Sequence, residues 1–95
     1  MPISVKFFSI LRAHAGTGEY KPENPNLTSL YDVLLDIDAA FFDGTSLIFE
    51  TRPTTVNPAL LLLVDDRDYR VLDGALDYVL TGDEVITLLS SVHGG

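Results

Sequence analysis

The stretch TSLYDVLLDIDAAFFDG, residues 28–44, carries the clearest structural signal in the sequence. Its apolar side chains recur at the i, i+3, i+4, i+7 and i+11 spacing of a single helix face: Leu30, Val33, Leu34, Ile37 and Phe41. Thr28 or Ser29 can cap the first free amides, and Ser29 with Asp32 has the spacing of a capping box. Gly44 supplies a stop. We therefore predict one amphipathic helix of about 14 residues.

The sequence on either side of this helix predicts β-strands. We expect strands, in chain order, at residues 3–8, 17–21, 47–50, 59–64, 69–72 and 84–92. Residues 10–15 can form a short helical turn, and residues 51–58, with two prolines, indicate a loop. The apolar run at 59–64 does not alternate, which predicts a strand covered on both faces and followed by a turn at 65–68.

One long helix packed on one face of a single mixed sheet is a two-layer α+β domain. The 95 residues suffice for one such domain. We expect the domain to span residues 1–92 and residues 93–95 to form an extended, flexible C-terminal tail.

Composition excludes several classes of function. There is no cysteine, which excludes disulfides, thiolate nucleophiles and Cys-ligated metals. The start of the chain lacks the features of a secretory signal, and no apolar run reaches the length of a membrane span, so we expect a cytoplasmic protein. The net charge of −8 argues against binding to nucleic acid or to membranes and favours a basic protein partner.

The sequence offers no convincing catalytic or metal site. His14 and His93 are the only histidines, and neither has a second ligand or a nucleophile in register. Residues 66–71 begin like a calcium loop, but Val71 stands where glycine is required. The aspartates of the helix are most simply a solvated face. We expect a protein that is not an enzyme and binds no cofactor.

The C-terminus is the one unusual chemical feature. Two terminal glycines occur by chance in roughly 0.5% of chains. Gly94 and Gly95 lack β-carbons, so an extended tail can thread a narrow channel and present its carboxylate. A carboxylate needs activation before a nucleophile can attack it, for instance as an acyl-adenylate, and another protein must perform that step.

Several segments resemble a known family. Residues 60–69, the Gly82-Asp83-Glu84-Val85 turn and the ending SSVHGG are similar to the ubiquitin-related modifier, and residues 7–16 resemble bacterial and archaeal sulfur carriers. These carriers are the small subunit of molybdopterin synthase, the thiamin sulfur carrier and the carrier of cysteine synthesis. The resemblance covers most of the chain, while residues 42–58 match none of these patterns well.

The resemblance implies a β-grasp, ubiquitin-like fold, with a mixed sheet of four to five strands, one main helix on one face, and adjacent first and last strands. It also implies that an E1-like adenylating enzyme activates Gly95 with ATP and magnesium. A sulfurtransferase then supplies sulfur for a C-terminal thiocarboxylate, and Gly94 and His93 belong to the tail that threads the partner's channel. The acceptor pathway stays open among molybdopterin, thiamin, cysteine and tRNA thiolation.

Three alternatives remain at this stage: a modifier conjugated through Gly95 to target lysines, a small subunit whose tail enters the active site of a larger enzyme, and a plain interaction domain. We expect the free protein to be a monomer. Partner binding is expected on the sheet face near the last strand, at Leu88 and Val92, because apolar side chains that one helix cannot cover mark recognition patches.

Overall fold

The capping box predicted at the start of the long helix is present in the computed structural model, which describes residues 3–24 and 26–91. Ser29 is the N-cap of helix α2 (Leu30–Phe41), and its side chain accepts a hydrogen bond from the Asp32 amide at 3.2 Å. Asp32 accepts in return from the Ser29 amide at 3.1 Å. The helix has 12 residues and ends at the C-cap Phe42, two residues before Gly44.

A five-stranded mixed sheet forms the second layer. Its strands are β1 (Ser4–Phe7), β2 (Glu19–Tyr20), β5 (Leu60–Val64), β6 (Arg67–Asp68) and β7 (Val85–Ser90), while β3 (Phe49–Thr51) and β4 (Thr55–Val56) form a separate hairpin. The five strands lie in the spatial order β2-β1-β7-β5-β6. Strands β1 and β7 pair in parallel at the centre, and the other pairs are antiparallel. Helix α1 (Ser9–Ala15) follows β1 and ends at Gly16, whose φ of 78° is left-handed. The first and last strands are adjacent, as the resemblance implied.

The core lies between α2 and one face of this sheet. Successive strand residues point to opposite faces, so every second residue of β1, β5 and β7 faces the helix. The buried residues of β1, β5 and β7 are Val5, Phe7, Leu60, Leu62, Val64, Ile86 and Leu88. From the helix, Leu30, Val33, Leu34 and Ile37 are fully buried, which confirms the predicted stripe. Phe41 is only half-buried, and the fully buried Phe42 closes this end of the core.

The expectation that residues 59–64 are covered on both faces is wrong. In β5 only Leu60, Leu62 and Val64 are buried, while Leu61 on the opposite face is 38% exposed. A single helix covers a single face of a sheet, and the described residues place no second layer on the other. The unbroken apolar run therefore reflects an open apolar face and not a strand buried on both sides.

The expected loop at residues 51–58 instead contains a second, separate sheet. Strands β3 (Phe49–Thr51) and β4 (Thr55–Val56) form an antiparallel hairpin. Its strands are short and carry no alternating apolar pattern, which is why the sequence did not reveal it. The hairpin is tied to α2 by Arg52, which donates to both carboxylate oxygens of Asp38 at 2.7 and 3.0 Å. Arg52 Nη2 also donates to the Phe42 carbonyl at 2.8 Å.

The expected strand at residues 69–72 is also wrong. The turn after β5 uses only Asp65 and Asp66, and the returning strand β6 ends at Asp68. Residues Tyr69–Val71 then form a 3-10 turn, begun by the Asp68 carboxylate accepting from the Arg70 amide at 2.9 Å. Side-chain capping by an aspartate competes with the sheet ladder at this point and ends the strand.

Within the part of the chain that the structure describes, neither helix combines the length and the hydrophobicity that a membrane span requires.

Candidate functional site

The face of the sheet that points away from α2 is an open surface built from three cross-strand rows. The register of the strands sets these rows: Phe8, Leu89 and Leu61 in the first, Lys6, Thr87 and Leu63 in the second, and Ser4, Val85 and Asp65 in the third. Phe8 directly follows β1 with extended backbone and so lies beside Leu89. We call this surface the open face, and its first row the apolar row.

The apolar row lies beside the last described residues of the chain. Phe8 is 44% exposed and Leu61 is 38% exposed, and half-buried Leu89 lies between them. Leu89 precedes Ser91 by two residues, so the row borders the point at which the chain leaves β7. Ile10, on α1, adds a further apolar side chain that is 38% exposed. An exposed apolar cluster of this kind is typical of a protein interaction site.

The strand pairing of β7 continues to the end of the described chain. The Ser91 amide donates to the Ala59 carbonyl at 2.7 Å, and the Ser91 hydroxyl donates to the same oxygen at 2.9 Å. On the other side of β7, the Phe8 amide donates to the Leu88 carbonyl at 3.1 Å. The chain is therefore held on both sides close to its C-terminus, which fixes the position from which the following residues start.

The turn before β7 is organised by a buried carboxylate. Glu84 is 2% exposed, and its two oxygens accept from the Thr81 amide at 2.7 Å, the Gly82 amide at 2.9 Å and the Thr81 hydroxyl at 3.1 Å. Burial by itself raises the pKa of the Glu84 carboxyl, but these hydrogen bonds outweigh it and hold the pKa below its ordinary value of 4.5. Glu84 thus closes the turn that sets the start of β7, which accounts for the glutamate of the Gly-Asp-Glu-Val segment.

Leu88 was expected to contact a partner, and this expectation is wrong. Leu88 is fully buried on the helix side of β7, because residues 86 and 88 share one face and residues 85, 87 and 89 share the other. Val92, His93, Gly94 and Gly95 lie outside the described residues, so their expected roles stay predictions. No pattern in the sequence indicated that Phe8 and Leu61 are the neighbours of Leu89. The strand order needed to bring these three side chains together is not contained in any local pattern.

The described residues contain no group of three or more side chains suited to hold a metal ion. His14 is exposed and stacks on the ring of Phe42 with the centroids 5.7 Å apart. Among the described residues, the candidate functional site is therefore the open face together with the end of β7 beside it.

Comparison with known proteins decides the family. The family model of the ubiquitin-related modifier, described as "Urm1 (Ubiquitin related modifier)", matches residues 8–95. The chain belongs to this family. It lies within the superfamily of ubiquitin-like sulfur carriers and modifiers, as the sequence resemblance indicated, and such carrier proteins are generally not enzymes themselves.

A curated relative from Arabidopsis thaliana, ubiquitin-related modifier 1 homolog 2, is 40% identical over 78 residues, which span 76% of this chain and 77% of the relative. Among solved structures, the small archaeal modifier protein 1 of Methanosarcina acetivorans has a TM-score of 0.80 at 26% identity, covering 98% of this chain and 95% of that one. Urm1 of Trypanosoma brucei has a TM-score of 0.78 at 25% identity, covering 98% and 94%. The β-grasp fold implied by the resemblance is confirmed.

Proposed function

We propose that this protein of the ubiquitin-related modifier family carries sulfur as a thiocarboxylate on Gly95. The observation that supports this most is the family match, which extends through residue 95 and so includes the Gly94-Gly95 ending. The chain contains no cysteine, so it offers no thiol of its own to hold sulfur. The carboxyl group of Gly95 is the group that the proposal assigns to this task.

The proposed chemistry has two steps, both performed by partner proteins. A Gly95 carboxylate oxygen attacks the α-phosphate of ATP in an E1-like adenylating enzyme, which uses magnesium, and pyrophosphate leaves. A sulfide-equivalent nucleophile from a sulfurtransferase then attacks the acyl carbon, the C–O bond to AMP breaks, and a C–S bond forms. Adenylation, driven by ATP, thus replaces the carboxylate oxygen, a poor leaving group, by AMP, a good one. An acceptor enzyme finally takes the sulfur.

The open face is the surface on which we place the adenylating enzyme. A partner seated on the apolar row lies next to the chain end that it must act upon, because Leu89 and Ser91 are two residues apart. The hydrogen bonds from Ser91 to Ala59 hold this end of β7 in place, so docking on the sheet also positions the start of the tail. Glycine at 94 and 95 gives that tail a narrow cross-section.

ATP–pyrophosphate exchange tests the activation step. The protein is incubated with the adenylating enzyme encoded in the same genome, and the exchange rate is compared with that of a variant from which Gly95 is deleted. We expect exchange with the full chain and none with the variant. The free energies of unfolding of the two proteins should differ by no more than about 0.5 kcal/mol, the usual range for exposed positions. Exchange that is unaffected by the deletion would refute the proposal.

A second candidate function is conjugation of Gly95 to lysines of target proteins. It is favoured by the relatives, which are named as modifiers in Arabidopsis thaliana and Methanosarcina acetivorans. The two functions share the adenylation step and differ in the nucleophile that follows, a lysine amine in place of sulfide. Immunoblots against this chain separate them: species larger than 10.4 kDa that disappear with the Gly95 deletion indicate conjugates.

A further inference from the structure

The segment around Val79 runs beside the start of helix α2 and pairs with it through one antiparallel bridge, between Val79 and Ser29. The neighbouring residues make both hydrogen bonds of the bridge: the Leu30 amide donates to the Tyr78 carbonyl at 3.0 Å, and the Leu80 amide donates to the Thr28 carbonyl at 2.9 Å. In a bridge of this type the amide and carbonyl of the paired residues themselves point away from each other. The amide and carbonyl of Val79 therefore point to the outer side of the segment.

The backbone of Val79 has no hydrogen-bond partner within residues 3–24 and 26–91. Its side chain is 72% exposed, more than that of any other large apolar residue in the described part of the chain. An exposed, extended segment with a free donor and a free acceptor is the feature to which a strand of another chain can add. Val79 therefore offers a short strand edge with an apolar side chain on it.

Two carboxylates accompany this edge. Asp73 and Asp77 line one open depression with Val79, and no lysine or arginine lines it. Both aspartates are exposed, and neither carboxylate makes a hydrogen bond or ion pair with another described residue. We call the surface of Asp73, Asp77 and Val79 the Val79 edge. Its charge favours a basic partner and disfavours a second copy of this chain, which would bring the same carboxylates against it.

The Val79 edge lies at the end of the fold that is opposite the chain end. Phe42, at the end of α2, packs edge to face on Phe7 with the ring centroids 5.5 Å apart. Phe7 pairs with Leu88 near the end of β7, so the last turn of α2 lies at the end of the fold where β7 finishes. Val79 lies beside the first turn, and the 12 residues of α2 span about 18 Å. A partner on the Val79 edge therefore leaves the open face accessible.

We propose that the Val79 edge binds an extended, basic segment of a second protein partner. The segment adds as an antiparallel strand, and one of its residues exchanges both backbone hydrogen bonds with Val79. Side chains two positions apart lie on the same face of a strand. The segment therefore carries an apolar residue opposite Val79 and a lysine or arginine two positions away, where it pairs with Asp77. The inference does not depend on the proposed function, because this partner is distinct from the adenylating enzyme and can bind at the same time.

The test titrates the full chain with the capped peptide acetyl-Lys-Thr-Val-Thr-Lys-amide and follows the Val79 amide by heteronuclear NMR. The central valine has a lysine two positions away on either side. One comparison peptide has glutamate in place of lysine. A second carries an N-methyl group on the central valine, which removes the donor that would reach the Val79 carbonyl. The protein variants are Asp77→Asn and the matched control Asp43→Asn, an exposed aspartate beyond the other end of α2.

We expect the basic peptide to move the Val79 amide proton downfield and to slow its exchange with solvent, because a free donor becomes hydrogen-bonded. The glutamate peptide and the N-methylated peptide should leave this amide unchanged. Asp77→Asn should weaken binding about two- to five-fold at low salt, the range for one exposed ion pair, and less at high salt. Asp43→Asn should leave the dissociation constant unchanged. ATP–pyrophosphate exchange should be the same with and without the peptide.

A Val79 amide that does not respond to millimolar basic peptide overturns the inference, as does an amide already protected from exchange in the free protein. Equal responses to the lysine and glutamate peptides, or equal effects of the two asparagine variants, also overturn it, because the binding is then not specific to this edge. A concentration-dependent dimer in sedimentation velocity that perturbs the same amide overturns it too, since a second copy then occupies the edge. Each of these outcomes leaves the proposed function standing, because adenylation is measured separately.

Discussion

Glu84 shows how one side chain can set the position of a strand. The Glu84 carboxylate accepts hydrogen bonds from the amides of Thr81 and Gly82, which have no backbone acceptor in this turn. Because Glu84 is only 2% exposed, water cannot easily replace these hydrogen bonds. The sequence predicted the Gly-Asp-Glu-Val segment only as a turn that is shared with the family. Its physical role could not be predicted, because the burial of Glu84 depends on strands distant in sequence.

Replacing Glu84 by glutamine should destabilise the fold by about 1–3 kcal/mol, because the amide group of glutamine presents a donor where backbone donors already point. The free energy of unfolding, measured by urea denaturation at pH 7, checks this value. Asp83→Asn serves as the control, since Asp83 is exposed and accepts only from the Thr81 hydroxyl among the described groups.

The destabilisation caused by Glu84→Gln should depend on pH. The pKa of Glu84 is lowered in the folded state, so the stability that its charge contributes is complete above its ordinary value of 4.5 and is lost as pH falls through the folded value. The difference in unfolding free energy between the unmodified chain and Glu84→Gln should therefore shrink below about pH 4.5. A difference that stays constant down to pH 3 would show that the charge of Glu84 contributes nothing.

Among the elements, helix α2 was predicted best, because its signals are local: the capping box and the apolar spacing lie within the helix and at its first turn.

Substitution of the fully buried Leu34 tests the register of this helix. Leu34→Ala should cost about 2–5 kcal/mol, the usual range for truncating a core leucine. Leu61→Ala is the control on the open face and should cost clearly less, since Leu61 is 38% exposed. Equal losses in urea denaturation would contradict the burial described for the two leucines.

The β3–β4 hairpin was missed because long-range contacts anchor it to α2, from Arg52 to Asp38 and from the Tyr31 hydroxyl to the Pro53 carbonyl. Arg52 and Asp38 are 14 residues apart, and no local pattern links them.

Arg52→Met should lower the melting temperature by several degrees, because it leaves Asp38, which is 6% exposed, without its cation. Arg70→Met is the matched control: its partner Asp68 is more exposed, so the drop should be smaller. Equal drops in a thermal scan would show that the hairpin contact contributes no more than a surface pair.

At the scale of the whole molecule, one helix and a five-stranded sheet leave one sheet face open. The sequence predicted the layers, but it misassigned the faces of the strand at 59–64, because an unbroken apolar run cannot distinguish a strand covered on both faces from one with an open apolar face. That ambiguity concealed the apolar row. The segments that resemble the family identified it correctly, whereas the apolar row could not be recognised without the strand order.

Substitution of the apolar row should separate docking from folding. Phe8→Ser combined with Leu61→Ser should weaken binding of the adenylating enzyme by about tenfold, because exposed apolar anchors carry much of the binding free energy at interfaces. Folding should be little affected, since serine is a favoured N-cap residue and Phe8 is the N-cap of α1. Val79→Ser is the control, because Val79 is 72% exposed and pairs with Ser29 away from the open face. Isothermal titration calorimetry measures the binding, and equal losses for the control would exclude a specific role for the row.

The most direct measurement of the central claim is the intact mass of the protein after incubation with its adenylating enzyme, ATP, magnesium and a sulfur donor. The account predicts a mass increase equal to the exchange of one oxygen for sulfur, located by fragmentation to Gly95 and dependent on ATP. A mass that does not change with ATP, while the same enzyme preparation adenylates another substrate, would contradict it.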